Sequence, residues 1–211
     1  MKVLVTGGSG SIGSCIVDYF KDNGHDVFCP SKEQLDLRAN VMLHNPEYDV
    51  VVNNAGINPL RAIENICDNE VMQVNYNSAL QIVQQCIPYM LSAGYGRIIN
   101  IGSIWKDFAK PCRLAYSASK NALHALTKAI AAEYAEANIL ANTISPGFVE
   151  SKMTYANNST YEIEKLLLSI PAKRLGKPFE VAKLVYQMSI ENTYITGQNI
   201  IIDGGYSCSA S

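Results

Sequence analysis

The sequence predicts an α/β protein, a parallel sheet with helices on both faces. Three observations carry that prediction. Short apolar runs at 2–6, 26–29, 49–53, 96–103, 138–145 and 198–203 alternate with helix-forming stretches, and such alternation builds a parallel sheet covered on both sides. The first run ends in Gly7-Gly8-Ser9-Gly10-Ser11-Ile12-Gly13. Glycines between a strand and a helix let the backbone approach an anion, which the helix-start N–H groups attract. Two later runs end in Asn54-Ala55-Gly56 and Pro146-Gly147, at the strand ends where such sheets bind ligands.

Taken in order, residues 2–6 form the first strand. A helix follows the glycines through Asp22, and Asn23-Gly24 stops it. Residues 26–29 are the second strand, followed by Pro30-Ser31-Lys32. An acid at this strand end would bind the ribose hydroxyl of NAD; none stands there, whereas Ser31 and Lys32 offer a hydroxyl and a cation to a 2′-phosphate. The reading therefore leans to NADP(H) over NAD(H). Only 19 residues separate Cys29 from Asp49. A parallel crossover takes about a dozen or more, so one short helix within 39–47 fits, and 35–37 is an extended segment rather than a strand.

Residues 70–93 read as a long helix carrying Asn75, with Pro88 marking a kink or an early end. The strand over 96–103 puts Ser103 at its carboxyl end. Helix 116–137, strand 138–145, a helical piece near 161–169, helix 179–190 and strand 198–203 complete the chain, with breaks at Pro171, Gly176 and Pro178. The count is six strands in one doubly wound, Rossmann-type sheet, and one domain over 1–211.

Composition narrows the function. Of 211 residues, 48% are hydrophobic and 17% charged, and the net charge is −2, an ordinary globular balance without the basic stripe that nucleic-acid binding needs. The six cysteines lack Cys-x-x-Cys pairs and neighbouring histidines, so neither zinc nor a disulfide framework is expected, and buried thiols in a reducing cytoplasm are. His25, His44 and His124 have no triad or metal context. No signal peptide opens the chain, and no run reaches the roughly 18 apolar residues of a membrane helix.

Tyr116 and Lys120 carry the chemistry. Four apart in a helix, they share a face one turn apart. An ammonium beside a phenol favours phenolate, which would bring a group of pKa about 10 towards use as an acid or base near neutrality.

Thr6-Gly-Gly-Ser-Gly-Ser-Ile-Gly13, Asn53-Asn-Ala-Gly56, Asn75, Ser103, Tyr116-x-x-x-Lys120, Pro146-Gly147 and Asp203-Gly-Gly205 stand in one order over nearly the whole chain. Together they resemble the short-chain dehydrogenase/reductase family in its compact branch. The resemblance implies that Tyr116 passes a proton to or from the substrate oxygen during hydride transfer at nicotinamide. It implies that Lys120 lowers the Tyr116 pKa and binds the nicotinamide ribose, that Ser103 holds the reacting oxygen, and that the Asn75 main chain holds a relay water. It places pyrophosphate over Gly7, Ser9, Gly10, Ser11, Ile12 and Gly13, adenine near Asp36 and Leu37, and adenine ribose near Asn54, Ala55 and Gly56. The carboxamide falls near Pro146, Gly147 and Val149, with Ser151 near a phosphate.

Two departures accompany the match. Position 11 is Ser where the compact branch usually has Gly, a spacing typical of the branch acting on nucleotide sugars. The short connection after Cys29 implies that the usual edge strand is lost or vestigial. The expected activity is reduction of a ketone or oxidation of a secondary alcohol, with a 3-oxoacyl thioester as default substrate. Alternatives are a nucleotide-sugar reductase or epimerase, and a dinucleotide-sensing protein without chemistry. Trp105, Lys106, Phe108, Phe148, Met153 and Tyr155 are expected to line the substrate cleft. Helices 70–93 and 116–137, which pair across a two-fold axis in the resembling family, imply a homodimer or homotetramer.

Overall fold

The computed structural model describes residues 1–66 and 69–208; Cys67 lies outside them. One six-stranded sheet runs in the order β2-β1-β3-β4-β5-β6, from β1 (Lys2–Val5), β2 (Asp26–Phe28), β3 (Val50–Asn53), β4 (Gly96–Ile101), β5 (Ile139–Pro146) and β6 (Asn199–Ile202). Every pairing is parallel. From β1 the chain goes outward to β2, then returns past β1 to β3. That reversal opens a crevice at the carboxyl ends of β1 and β3. β2 is the edge on this side, so the sheet ends where the short connection predicts.

Alternation along the strands assigns the two faces. Val3, Val5, Val50, Val52, Ile99 and Ile101 point one way, onto α1 (Ser11–Asp22) and α7 (Pro178–Ile190), where Ile16, Phe20, Val181 and Val185 complete a core. Leu4, Val51, Ile98 and Ala141 point the other way, onto α3 (Ser78–Ala93) and α4 (Leu114–Tyr134), against Ile82, Met90, Leu123 and Ile130. Between strand ends and cleft lie the short α2 (Asn69–Met72), α5 (Lys152–Ala156) and α6 (Thr160–Ser169), the last opened by a capping box between Ser159 and Glu162.

Several expectations need correction. No helix forms within 39–47. Its backbone groups are taken instead by glutamines: Gln81 and Gln85 accept from Val41 and Leu43 N–H, while Gln85 and Gln73 donate to the Val41 and Ala39 carbonyls. With those groups satisfied and Leu35, Leu37, Val41 and Leu43 packed on the second core, an extended path leaves nothing for a helix to gain. Of the two readings of Pro88, a kink or an early end, the early end does not occur, and the helix runs on to Ala93 as expected. The helix expected over 70–93 is also not uniform, because Gln73–Asn77 forms a π-helical turn around Asn75, a feature frequent at functional sites. Among the described cysteines, Cys86 is buried but Cys112 and Cys208 are exposed.

Candidate active site

A cleft of about 960 Å³ runs across the carboxyl ends of the strands, at the upper end of the size range for small-molecule and cofactor sites. Gly7, Ser9, Gly10, Ser11, Ile12, Gly13, Ser31, Lys32, Asp36, Leu37, Asn54, Ala55 and Gly56 line one end. Ser103, Tyr116, Lys120, Pro146, Gly147, Val149 and Ser151 line the other. Asn75 lies behind the wall, fully buried.

The first end is made of main chain. Gly7 has φ +66°, and a Cβ there would stand 2.8 Å from the Ala55 Cα; a Cβ on Gly13 would stand 2.2 Å from the Gly7 carbonyl oxygen. The loop is stitched to the next strand end. Thr6 Oγ1 accepts from the Asn54 and Ala55 N–H groups at 3.1 Å, and Asn54 Nδ2 donates to the Thr6 and Gly7 carbonyls at 3.0 Å. The first turn of α1 carries no acidic side chain. A cradle without Cβ atoms, backed by a helix start with no negative charge, fits the pyrophosphate of a dinucleotide. The Ser11 hydroxyl oxygen also accepts from the Lys152 N–H at 3.3 Å, tying the loop to α5 and leaving its own proton to donate.

At the adenosine end, the Ser31 hydroxyl donates to Glu33 at 2.7 Å, which holds that carboxyl below its usual range, and Lys32 adds to the effect. Glu33, which sequence reasoning does not single out, lines the cleft beside Ser31 and Lys32.

At the other end, β4 delivers Ser103 two residues past its last paired position, where it caps a 3-10 turn over Ile104–Lys106 by accepting from the Trp105 N–H. Helix α4 delivers Tyr116 and Lys120 one turn apart, both buried. The Lys120 ammonium donates to the Ile101 carbonyl at 2.7 Å and stands 5.6 Å from the centre of the Tyr116 ring. Gly56 stands beside it: a Cβ there would lie at ordinary contact distance, 3.4 Å, from Lys120 Nζ and from Asn75 Oδ1. Asn75 clamps the scaffold. Its Oδ1 accepts from the Ile57 N–H at 2.8 Å, and its Nδ2 donates to the Ile57 carbonyl and to Ser119 Oγ at 3.0 Å. Ser119 in turn donates to the Tyr116 carbonyl at 2.7 Å.

The electrostatics differ from expectation. Burial holds Lys120 down to about 8, because a low-dielectric site penalises the ammonium. Tyr116 is raised above its ordinary value, not lowered. Burial is the largest influence; a hydrogen bond with Ser103 and the charge of Arg113 pull it back in part. The Arg113 charge, three residues ahead of Tyr116, is the smallest of these three influences.

Sequence reasoning misses Arg113. It is buried and lines the cleft with Asn58, Asn157 and Asn158. Its spacing of three from Tyr116 is the signal that could flag it. Of the expected substrate-cleft residues, Trp105, Phe148 and Met153 line the cleft, the first two meeting edge to face at 5.7 Å. Lys106, Phe108 and Tyr155 do not. Lys106 pairs with Asp107 at 2.6 Å, Phe108 packs on Tyr206, and Tyr155 is exposed. Among the described residues, no acidic, His or Cys cluster could hold a metal, and no helix is long and apolar enough to cross a membrane.

Comparison with known proteins agrees with this geometry. The family model adh_short_C2, described as enoyl-(acyl carrier protein) reductase, matches residues 30–207. The chain is 33% identical to the 3-oxoacyl-[acyl-carrier-protein] reductase FabG of Vibrio cholerae over 211 residues, covering 97% of this chain and 86% of that protein. It belongs to the short-chain dehydrogenase/reductase family. Among solved structures of this fold, a gluconate 5-dehydrogenase from Beutenbergia cavernae described with bound NADP superposes with a TM-score of 0.86 at 27% identity, covering 99% of this chain and 97% of that one. A 4-hydroxyisoleucine dehydrogenase described as complexed with NADH superposes at 0.92, with 99% coverage of both chains; at 24% identity it shows the shared fold. As a member of the short-chain dehydrogenase/reductase family, the chain is an oxidoreductase of the ketone/alcohol type.

Proposed function

We propose that the chain interconverts a ketone and a secondary alcohol with a nicotinamide dinucleotide, in the manner of a 3-oxoacyl thioester reductase. The observation that carries this is the buried Tyr116 beside Ser103 in the same cleft as the glycine cradle. The bound nicotinamide would supply or accept the hydride. Tyr116, whose raised pKa keeps it protonated at neutral pH, would give its proton to the carbonyl oxygen, and Ser103 would hydrogen-bond the same oxygen. Lys120, with a pKa of about 8, sits close enough to neutrality to return a proton to the site. The similarity to the Vibrio cholerae reductase supports the oxoacyl substrate.

Gly7, Gly10, Ser11 and Gly13 would hold the pyrophosphate, Asp36, Leu37 and Asn54 to Gly56 the adenosine, and Pro146, Gly147, Val149 and Ser151 the nicotinamide end. For the cofactor's form, the Lys32 cation supports NADP(H). Against this, the Ser31 hydroxyl already serves Glu33, and that carboxylate would repel a 2′-phosphate but accept from a ribose diol. The observed bond thus favours NAD(H). Side-by-side fluorescence titration with NADH and NADPH tests this. The Glu33 reading expects NADH to bind more tightly and Glu33→Gln to narrow the gap; tighter NADPH binding by the wild type would restore the Lys32 reading.

The same proposal includes a homodimer or homotetramer. Leu114, Ala118, Ala125 and Ala129 leave α4 with an exposed apolar stripe of mostly small side chains, suited to close pairing of helices. The free cysteines among the described residues suit a reducing cytoplasm.

A further inference from the structure

We propose that Arg113 is an anion-binding residue of the substrate pocket, and that the site therefore turns over ketones and secondary alcohols that carry a free carboxylate near the reacting carbon. The inference rests on Tyr116 as the proton carrier and adds free oxo acids and hydroxy acids to its oxoacyl substrates.

Arg113 is only 4% exposed, yet it faces the cleft. Its Nε is buried without a hydrogen-bond partner. Its guanidinium stands over the face of Trp105, 5.5 Å from the ring centre. Glu162, the acid whose charge reaches it, is exposed and already accepts from the Ser159 N–H and hydroxyl. Lys110 lies over the same indole at 5.6 Å and adds a second positive charge. A buried guanidinium without a counter-charge is costly to keep, and its planar fork matches a carboxylate with two parallel hydrogen bonds.

Position fixes which part of the substrate would be held. The Arg113 carbonyl accepts from the Ser117 N–H at 2.9 Å, which anchors the residue at the start of α4. Tyr116 is three residues on and feels its charge. Both side chains line the one cleft, so an anion on Arg113 would share it with the proton-transfer site. In the reaction, the carbonyl carbon gains a hydride from the reduced dinucleotide and the carbonyl oxygen gains the Tyr116 proton. The carboxylate is unchanged and serves only as a handle.

The test compares four- to six-carbon 2-oxo and 3-oxo acids with their neutral amides. Arg113 predicts that kcat/KM favours the best acid over its amide by about 100-fold or more, the scale for a desolvated charge pair. Arg113→Met should abolish that preference, measured as the ratio of the acid and amide kcat/KM values, while dinucleotide binding stays within a few-fold. Trp105, the single tryptophan, gives a readout independent of turnover: hydroxy acids should change its fluorescence saturably in the wild type but not in Arg113→Met. Arg113→Lys, which keeps the charge and loses the fork, should retain part of the preference. The proposal is overturned if the wild type treats acid and amide alike, if either variant keeps the full preference, or if Arg113→Met lowers kcat/KM for acid and amide by the same factor. Acid binding that depends on Arg113, combined with full activity in Tyr116→Phe, would sink the proton-transfer reading and leave this one standing.

Discussion

The two ends of the cleft are made of different material. The dinucleotide end is main chain: glycines at contact distance, a helix start, and a loop fastened to the next strand by Thr6 and Asn54. The substrate end is side chains that converge from distant segments, with Trp105 and Arg113 from the β4–α4 connection, Phe148 from beyond β5, and Asn158 from beyond α5. A site of backbone is spoiled by any added atom and tolerates little variation. A site of side chains can be retuned one residue at a time on an unchanged scaffold.

That contrast predicts the ranking of substitutions. Gly13→Ala drives a Cβ into the Gly7 carbonyl. At the usual cost of roughly 1–3 kcal/mol for overpacking, dinucleotide affinity should weaken roughly 10- to 100-fold in a fluorescence titration. Gly24→Ala meets nothing within 4 Å and, although its φ of +77° costs stability, it should leave affinity unchanged. Equal losses at both positions would erase the distinction between cradle and ordinary turn.

A smaller effect belongs to Lys120, where the two ends meet. Its folded pKa of about 8 lies below the unfolded value near 10.5. Between those values the unfolded chain holds more protons, so the Lys120 contribution raises stability as pH rises through that window and penalises the fold below it. Denaturant titrations from about pH 8 to 10 should show the wild type gaining ~2 kcal/mol relative to Lys120→Met, since each tenfold change in proton affinity is worth about 1.4 kcal/mol. Tyr116, raised by burial, acts oppositely only above the ordinary phenol pKa of about 10, so the window separates them. Parallel curves would mean that the ammonium is not desolvated as the fold implies.

The same contrast explains what can be read from sequence. The parallel sheet, its missing edge strand and the glycine cradle are legible because each is encoded by contiguous residues with one backbone consequence. The segment 39–47 defeats local reading because its hydrogen bonds are met by Gln73, Gln81 and Gln85 from helices elsewhere. The π-turn at Asn75 escapes for a like reason: it is fixed by side-chain bonds to Ile57 and Ser119, 18 and 44 residues away. Spacing reveals Tyr116 and Lys120, but not the direction in which the Tyr116 pKa moves, because burial is a tertiary quantity. Arg113 is one of 17 basic residues in the sequence, and only the fold sets it apart by burying it in the cleft.

The most direct measurement is single-turnover hydride transfer in Tyr116→Phe, followed by cofactor absorbance after mixing with a ketone substrate, alongside dinucleotide binding in the same preparation. The account predicts that binding is retained and that transfer slows by at least ~100-fold, the scale of a lost general acid. Transfer at the wild-type rate with the phenol hydroxyl removed would contradict it.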